Sequence, residues 1–483
     1  MTPPRAIVVA DDLTGAADAG APFAAAGFTT VVPLRSTPDG AEVIALSNNT
    51  RDASGDRIEG LFKQAMALLP PANSATVWYA KVDSVFRGYP GPQVAFLLRQ
   101  TGRRAVAIAP ALPDQRRVTV DGAVYVDDVL LTQSPLGIGH RSPSVIELLG
   151  LPDELGRTVG LEVVRSGTNA LRTAIERVVR PIVVVDSETN ADLATLASAM
   201  VNDRTHLLAG SAGFSKQLAD CMGERTGRTA LAAPAAPVHS VLTVAGSRHR
   251  TSEKQVAALA ESGVTTIRIN FEQGHLAPQV TERMIEKMIA AFSGGQSVTL
   301  TTCETPQSSM PGHEIARALA ALATDPRVRD RYDAMILTGG DVASAVCARL
   351  EAEAIWLGGE VLPATVRTEW TGAAGAAFAV RPASSPMRTA NCFENPAEPA
   401  SRYVRSSTMA DARVARSTFV SASTTTMGRT TRSIAARSAL APARTTSRST
   451  VRPSSSGRPS SSMTDELRCP IPSVLSVSNT SST

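Results

Sequence analysis

The sequence predicts an α/β fold made of two α/β domains with mostly parallel sheets and an inter-domain cleft, followed by a disordered C-terminal tail. Short apolar runs recur along the chain, separated by stretches that carry apolar residues at helical spacing. These runs are nearly continuous rather than alternating, which is typical of parallel strands buried on both faces. The length of 483 residues is enough for two or three buried cores.

The first domain is predicted over residues 1–225 and the second over residues 240–380, with a linker at 226–239. The linker is rich in Ala, Pro and Thr, a composition that favours a connecting segment. The predicted strands of the first domain are AIVVA, TTVVPL, VIALS, VWYAKV, AVAIAP and PIVVVD; those of the second are VLTVAG, TTIRIN, SVTLTT and AMILTGG. Helical patterns such as DRIEGLFKQAMALL, EKQVAALAESG and GHEIARALAALA lie between them.

The last segment, residues 381–483, is predicted to be disordered. From Ser401 onward it is dominated by Ser, Thr and Arg, and it contains no Lys. No part of it keeps a period of 2 or 3.6, so it lacks the apolar surface that would offset the entropy of ordering. Its composition also resembles a GC-rich gene that has been read out of frame, which is a hypothesis that sequencing of the gene would test.

Composition argues against several classes of protein. The formal net charge is +4, but Arg is concentrated in the tail, so the charge does not indicate nucleic-acid binding. The five Cys are scattered, and the six His form no closely spaced pair, so neither a disulfide framework nor a zinc site is expected. The apolar run at the N-terminus is too short for a signal peptide or a membrane span, so we expect a cytoplasmic protein with no membrane partner.

Two adjacent carboxylates, Asp11 and Asp12, follow the first predicted strand in the segment IVVADDLTGAADAG. One interpretation is that Asp12 or Thr14 caps the helix that starts near Gly15. The other is that the carboxylates face a cleft and bind a polar ligand, because ligands in such folds bind beyond the carboxyl ends of the strands. Capping alone would not explain three polar residues, Asp11, Asp12 and Thr14, within four positions.

Cations and carboxylates also follow the predicted strand VWYA. Lys81, Asp83, Ser84 and Arg87 lie within seven residues, and Arg51 follows another strand of the same domain. Arg binds a carboxylate through two parallel hydrogen bonds, and Lys supplies a point charge, so this edge suits a small anionic ligand with several hydroxyls. The alternative is a surface turn with incidental ion pairs.

A proline-bounded loop is predicted at residues 109–122, after the strand AVAIAP. Gln115, Arg116 and Thr119 are candidates to line the cleft, or else they only shape the loop.

The second domain contains Gly-containing turns at predicted strand ends. One is VAGSRHRT, which contains Ser247, and another is the strand–turn–helix segment around Gly339, Gly340, Asp341 and Val342. Glycine lets the backbone approach a phosphate closely, and a helix N-terminus favours the negative charge. Asp341 is a candidate to hold Mg²⁺ through water or to cap the helix. The segment LGGEVLP is expected to be a further strand end.

No Walker A loop or G-x-G-x-x-G fingerprint is present. The second absence disfavours a dinucleotide-dependent oxidoreductase, although that class shares the architecture.

Taken in order, these segments resemble the four-carbon acid sugar kinase family, which contains the threonate, erythronate and 3-oxo-tetronate kinases. The family's ADDxTGAxD segment is matched by residues 10–18, and its K-x-DSTLRGN segment is similar to residues 81–89. LAGSAG at 208–213, Gly-Ser at 246–247, TGGDV at 338–342 and the GE pair at 359–360 continue the likeness. The match spans about residues 5–366.

The resemblance implies an N-terminal domain that binds the sugar acid and a C-terminal domain that binds ATP, with Mg²⁺. Carried over to this chain, the implied substrate-binding residues are Asp12, Arg51, Lys81, Asp83, Ser84 and Arg87, and the implied ATP-binding residues are Ser247, Gly339, Gly340, Asp341 and Val342.

The chain departs from the family pattern at several positions. Val85 and Phe86 stand where the family has Thr-Leu, Tyr89 replaces Asn, and Val342 replaces Thr. The family's late KAGGFG turn, expected near residue 385, is absent, and AVRPASSPM stands there.

The expected reaction is therefore phosphorylation of a hydroxyl of a four-carbon sugar acid by ATP. Arg51, Lys81 and Arg87 would hold the carboxylate, while Asp12 would accept the hydroxyl proton or orient the nucleophile. Asp83 is an alternative base, and the sequence does not choose between the two. A second hypothesis is a degenerate member that binds sugar acid or nucleotide without turnover. The oligomeric state stays open, with a homodimer as one alternative.

Overall fold

The computed structural model describes residues 2–228, 239–247, 250–271, 276–302, 310–362, 365–371 and 377–381. Most of the predicted linker and the predicted tail, including the position of the family's late glycine turn, lie outside these residues. Both therefore stay predictions. Among the described residues, no helix is long and apolar enough to cross a membrane.

The strands follow the apolar runs of the sequence closely. They are β1 Ala6–Ala10, β2 Thr30–Pro33, β3 Val43–Ser47, β4 Val77–Lys81, β5 Ala105–Ala109, β6 Arg117–Val120, β7 Ala123–Val126, β8 Val129–Leu130, β9 Gly156–Val159, β10 Ile182–Val185, β11 His206–Gly210, β12 Val241–Ala245, β13 Thr265–Arg268, β14 Val298–Thr301, β15 Ala334–Thr338, β16 Ala354–Leu362, β17 Thr365–Thr371 and β18 Ala377–Arg381.

Helices alternate with most of these strands. They are α1 Leu13–Ala25, α2 Ile58–Met66, α3 Pro90–Thr101, α4 Val145–Leu148, α5 Leu161–Arg165, α6 Thr168–Arg177, α7 Asn190–Met200, α8 Ala212–Arg225, α9 Arg250–Glu261, α10 Pro278–Ser293, α11 Gly312–Ala323, α12 Pro326–Arg329 and α13 Gly340–Arg349. Short 3₁₀ turns occur at Gly55–Arg57, Pro113–Gln115, Leu131–Gln133, Pro135–Gly137 and Asp153–Leu155.

Fifteen of the described strands form one main sheet, which confirms the α/β class. Its order is β13-β14-β12-β15-β18-β17-β16-β2-β3-β1-β4-β11-β5-β10-β9. The pairs within β9–β11 and β1–β5 are parallel, as are those among β12–β15 and β18. Antiparallel pairs at β16 and β17 join the two parallel sets, and β16 also pairs with β2. The two halves of the chain therefore share one sheet.

The GG pair in LGGEVLP does not end a strand. β16 continues through Gly358 and Gly359 to Leu362, with register shifts against β17 between Leu357 and Glu360 and again before Leu362. A register irregularity lets a strand tolerate glycine in its interior, so the glycines accompany a distortion of the ladder rather than a turn. The expectation of a strand end was wrong.

Helix α1 joins the two halves of the molecule. Ten of its thirteen residues are buried, and it contacts β1, β2 and β3 of the first half of the chain and β16 and α13 of the second. Gly20 permits this close packing, because a Cβ at that position would lie 2.7 Å from both the Ala45 Cβ and the Leu357 Cδ1. The N-terminus of α1 is thereby placed at the junction between the two halves.

Candidate functional site

The carboxyl ends of β1, β3 and β4 lie side by side. Ala6 pairs with both Val43 and Val77, so the residues that follow each strand lie at the same edge of the sheet. The acidic pair after β1, the Arg51 turn after β3 and the polar segment after β4 therefore meet there. The sheet register explains why residues far apart in the sequence form one cluster.

Asp12 caps a helix and also lies on a cavity wall, so the two interpretations of the sequence are compatible. It is the N-cap of α1, and its Oδ1 accepts a hydrogen bond from the Gly15 backbone N–H at 2.6 Å. Its other oxygen, Oδ2, accepts a hydrogen bond from Arg51 Nη1, and the side chain lies on the wall of a large cavity. Capping uses one carboxylate oxygen, which leaves the other oriented towards the cluster.

Arg51 holds the acidic pair together. Its guanidinium donates to both oxygens of Asp11, from Nε at 2.9 Å and from Nη2 at 2.7 Å, and it also pairs with Asp12. Asp83 Oδ2 lies 4.0 Å from the same Nη2. The backbone N–H groups of Thr50 and Arg51 donate to the Asp11 carbonyl, which fixes the turn against β1. One cation therefore bridges three carboxylates.

The segment after β4 folds around Asp83. Asp83 accepts from Arg87 Nη2 at 2.7 Å and from the Val85 backbone N–H at 3.0 Å, and its side chain is only 7% exposed. Gly88 has a φ of +81°, and a Cβ there would lie 2.8 Å from Asp11 Oδ2. Glycine is therefore needed at this position both for the backbone conformation and for the close approach to Asp11.

Lys81 and Ser84 are buried beside this cluster, and a residue that the sequence analysis missed joins them. Arg117 on β6 donates from Nη1 to Ser84 Oγ at 2.5 Å. Its Nε is buried without a hydrogen-bond partner, and among the described residues no carboxylate forms an ion pair with Arg117 or Lys81. Burial raises the pKa of Asp18, and the charge of Lys81 opposes this rise. Burial lowers the pKa of Arg117, and the charge of Asp18 is among those that oppose this fall.

The prediction of a loop at residues 109–122 is wrong, because this segment ends in the first strand and the turn of a hairpin. Strands β6, β7 and β8 form a small antiparallel sheet, and the turn between β6 and β7 contains Asp121 and Gly122, both with positive φ. An Asp-Gly pair between alternating residues is a strong hairpin signal, and attention to it would have identified the strand that carries Arg117.

The three candidates in this segment do not line the cavity in the described part of the chain. Arg116 forms exposed ion pairs with Asp127 and Asp128. Thr119 is fully buried, and its backbone pairs with Ser187. Gln115 ends a 3₁₀ turn outside the cavity wall. These residues therefore shape the hairpin, which is the second alternative that the sequence analysis offered.

A cavity of about 820 Å³ lies between the cluster and the second half of the chain. Its wall includes Asp11, Asp12, Thr14, Arg51, Asp52 and Arg87 from the first half, and Gly246, Ser247, His313, Gly339, Gly340, Asp341 and Val342 from the second. The acidic pair and the late glycine pair, which are more than three hundred residues apart, thus border one space. His313, which the sequence analysis did not select, comes from the first turn of α11.

The glycine turn of the second half lies in contact with the acidic pair. Gly339, with a φ of +99°, is the N-cap of α13. A Cβ on Gly340 would lie 3.2 Å from Thr14 Oγ1 and 3.3 Å from Asp12 Oδ2. Val342 is buried and approaches Gly246, where a Cβ would lie 2.8 Å from Val342 Cγ2. The glycines therefore allow the two halves to approach each other closely.

Burial and charge separate the two candidate bases. Burial raises the pKa of Asp12, and the charge of Arg51 opposes this effect. Burial would also raise the pKa of Asp83, but the charges of Arg87 and Arg51 hold it well below its usual range. Asp83 therefore stays ionised as part of ion pairs, whereas Asp12 has the higher proton affinity.

Two carboxylates on the cavity wall suit a magnesium ion. Burial and the charge of Asp52 raise the pKa of Asp341, and both residues lie on the cavity wall. Among the described residues, no group of three or more His, Cys, Asp or Glu has metal-binding geometry. Magnesium commonly takes one or two carboxylates and completes its shell with water and phosphate oxygens, so Asp52 and Asp341 fit this ion.

Comparison with known proteins matches this division of the cavity. A family profile described as a sugar-binding N-terminal domain matches residues 6–218, and one described as a nucleotide-binding C-terminal domain matches residues 242–382. The first covers the acidic cluster and the second covers the glycine turn. Each range contains one of the two parallel sets of the main sheet, and the second range also contains the antiparallel strands β16 and β17.

Curated relatives are similar over most of the chain. The D-threonate kinase of Salmonella typhimurium is 27% identical, over 74% of this chain and 89% of the relative. The D-threonate kinase of Cupriavidus necator is 29% identical, over 74% of this chain and 88% of the relative. A 3-oxo-tetronate kinase of Methylobacterium radiotolerans is 25% identical, over 73% of this chain and 89% of the relative.

Solved structures support the fold. A structure from Salmonella typhimurium LT2 has a TM-score of 0.66 at 18% identity and covers 83% of this chain and 98% of that chain. One from Haemophilus influenzae has a TM-score of 0.63 at 20% identity, over 83% of this chain and 99% of that chain. These structures show the fold alone, whereas the two domain profiles, which together match most of the sequence, show that the chain belongs to the four-carbon acid sugar kinase family.

Proposed function

We propose that this protein transfers a phosphoryl group from ATP to a hydroxyl of a four-carbon sugar acid such as threonate, erythronate or 3-oxo-tetronate. The observation that carries the proposal is the single cavity of about 820 Å³, which is bordered by Asp12 on one side and by the Gly339–Val342 turn on the other. Its volume is within the range of small-molecule sites. The names of the curated relatives support the same substrates.

Asp12 is the better candidate for the base that accepts the hydroxyl proton. It lies on the cavity wall, whereas Asp83 is buried beside the wall and bound to Arg87. A base needs both access to the proton and appreciable proton affinity, and the raised pKa of Asp12 supplies the second. Asp83 then positions Arg87 and Arg51 rather than reacting.

We assign the substrate carboxylate to Lys81, Ser84 and Arg117, which lie beside the acidic cluster and outside the wall of the cavity itself. Arg51 and Arg87, which the sequence analysis also assigned to this carboxylate, already pair with Asp11, Asp12 and Asp83. Arg117 is half-buried, has an unpartnered Nε and contacts Ser84, so it retains donors for an anion. Arg51 and Arg87 then serve chiefly to hold the acidic cluster and to offset its charge.

We assign the phosphates of ATP to the part of the wall that the second half of the chain provides. The backbone N–H groups at the start of α13 lack intrahelical partners, and the helix N-terminus favours negative charge. Ser247 lies on the same wall. Asp52 and Asp341 would hold Mg²⁺, which offsets phosphate charge when it is bound. Phosphoryl transfer depends on such positioning and charge stabilisation more than on covalent chemistry by the protein.

An ATP-consumption assay on the full chain tests the proposal. Threonate, erythronate and their 3-oxo forms should each be offered, with threitol, which lacks the carboxylate, and succinate, which lacks hydroxyls, as matched controls. We expect ADP release that depends on at least one of the hydroxy acids and is absent with both controls. ADP release with threitol equal to that with the acids would contradict the carboxylate assignment.

The same assay separates turnover from the alternative of binding alone. A chain that binds ATP in calorimetry but releases no ADP with any of the acids would be a degenerate member of the family. A homodimer stays one alternative for the oligomeric state.

A further inference from the structure

The Thr14 hydroxyl is a buried polar atom that the ion-pair cluster does not use. Thr14 is only 3% exposed, and its Oγ1 has no hydrogen-bond partner in the structure. The residue lies on the wall of the cavity, in the first turn of α1, and Oγ1 faces Gly340 of α13. A buried hydroxyl without a hydrogen-bond partner lowers the stability of the fold. Its presence at a cavity wall therefore points to a ligand that supplies the partner.

Two helix N-termini, one from each half of the chain, meet at this hydroxyl. Helix α1 has thirteen residues and α13 has ten, and both begin on the cavity wall. The Asp12 side chain caps only the Gly15 N–H, and no side chain caps α13. The first backbone N–H groups of a helix have no intrahelical partners, and they attract anions.

The carboxylates nearby do not make this point repulsive to an anion. Asp11 and Asp12 are both paired with Arg51, and Asp83 is paired with Arg87. Arg51 and Arg87 also lie on the cavity wall, as do Arg57, His313 and Arg317. The wall therefore combines unpaired backbone donors and one unpaired hydroxyl with cations that offset the acidic pair.

We propose that Thr14 and the first-turn N–H groups of α1 bind the phosphoryl group that is being transferred, opposite the N-terminus of α13. The inference rests on the proposed kinase function and adds a contact from the sugar-binding half to the phosphoryl group. In the step, the acceptor oxygen forms a bond to phosphorus, the bond from phosphorus to the ADP oxygen breaks, and the hydroxyl proton passes to Asp12. Thr14 donates a hydrogen bond to a non-bridging phosphoryl oxygen throughout.

The test is Thr14→Val, which keeps the shape of the side chain and the backbone N–H but removes the hydroxyl. Calorimetry should measure the affinities of the full chain for ADP and for a non-hydrolysable ATP analogue. We expect the analogue to bind roughly ten-fold more weakly to T14V, while ADP affinity changes less than about two-fold, because a hydrogen bond to a charged group is lost. Turnover should fall, and Thr14→Ser should recover it.

Stability distinguishes this role from a structural one. Because the hydroxyl has no partner in the free protein, T14V should unfold at the same temperature as the wild type or at a higher one. Thr299→Val, which removes another buried unpartnered hydroxyl on β14, is the matched control and should leave both affinities unchanged.

The outcomes separate the inference from the proposed function. A wild type that binds both nucleotides, with T14V behaving identically, would overturn the inference alone. Equal losses of ADP and analogue affinity together with a lower unfolding temperature would also overturn it, since they indicate a structural role. A wild type that binds neither nucleotide would overturn the proposed function and the inference together.

Discussion

On the first-domain side of the cavity, the wall is made of charged side chains that are held by one another. Arg51 donates to both oxygens of Asp11 and also pairs with Asp12, while Arg87 pairs with Asp83. On the second-domain side, the wall is largely backbone: a glycine turn and the uncapped N-terminus of α13. The structure of the first side therefore depends on particular charged side chains, whereas that of the second depends on glycines, which have no side chain.

This difference predicts how each side responds to substitution. Removing the shared cation of the charged cluster leaves its carboxylates buried and unpaired, so the effect should be large and should involve stability. On the glycine side, N–H donors survive most substitutions, so only a side chain that pushes the two walls apart should matter.

Arg51→Met should have the largest effect. It leaves the carboxylates of Asp11 and Asp12, whose side chains are 8% and 18% exposed, without their shared cation. We expect a loss of about 3–5 kcal/mol in the free energy of unfolding, measured by urea denaturation, together with loss of turnover. Arg116→Met is the control, because it breaks only exposed ion pairs and should cost far less. Equal losses in the two variants would contradict the bridging role of Arg51.

Asp12→Asn should retain the fold but lower kcat by about 10²–10⁴, the usual contribution of a general base. The wild-type kcat/KM should fall as the pH drops through the pKa of Asp12, because the base must be ionised. Burial raises that pKa above its ordinary value of 3.8, so the loss should begin at higher pH than for an exposed aspartate. A variant with near wild-type kcat would rule out Asp12 as the base.

Asp83→Asn gives the contrast within the same cluster. Its pKa is held low by Arg87 and Arg51, so the ionised form stabilises the fold above the unfolded-state pKa, and this stability is lost as the pH falls through the folded-state pKa. We expect D83N to be less stable than the wild type at pH 7 and the difference to shrink on acidification. A difference that grows on acidification would show that Asp83 is not held as an ion-paired carboxylate.

Arg117→Met should raise the KM for the sugar acid by roughly 10- to 100-fold and leave the KM for ATP nearly unchanged, because a charged hydrogen-bonding partner of the carboxylate is lost. Initial-rate kinetics with each substrate varied in turn provide the measurement. Arg117→Lys keeps the charge and should show a smaller increase. An unchanged KM for the acid would remove Arg117 from the site.

Gly340→Ala should have the smallest effect, a loss of roughly ten-fold in kcat/KM, because its Cβ would lie only 3.2–3.3 Å from Thr14 and Asp12 and would shift the two walls apart. Gly312→Ala is a closely matched control. Gly312 also begins a helix on the cavity wall, but a Cβ there has open space around it. Similar kinetics for the two variants would argue against a close functional contact between the halves.

The sequence predicted the main strands and the helices between them, because buried parallel strands are nearly continuous apolar runs that need no long-range information. It also selected Asp12, Arg51 and the Gly339–Gly340 pair, since these stand directly after such runs. It did not predict that β16 pairs with β2, because strand order depends on the whole chain. Arg117 was missed because its hairpin was interpreted as a loop, although Asp121-Gly122 marked the turn.

The pairing of the cations could not be predicted from the sequence either. Arg51, Lys81 and Arg87 looked equivalent as candidates for the substrate carboxylate, yet only Lys81 has no ion pair among the described residues. Which carboxylate neutralises which cation depends on side-chain geometry at the edge of the sheet. Motif spacing does not contain that information.

A crystal structure of the full chain with a non-hydrolysable ATP analogue and threonate would show whether both substrates share this cavity. We expect the terminal phosphate to lie in the cavity between Thr14 and the N-terminus of α13, with a threonate hydroxyl within hydrogen-bonding distance of Asp12. A nucleotide bound elsewhere on the molecule, or a terminal phosphate in contact with α13 and remote from Asp12 and Thr14, would contradict this expectation.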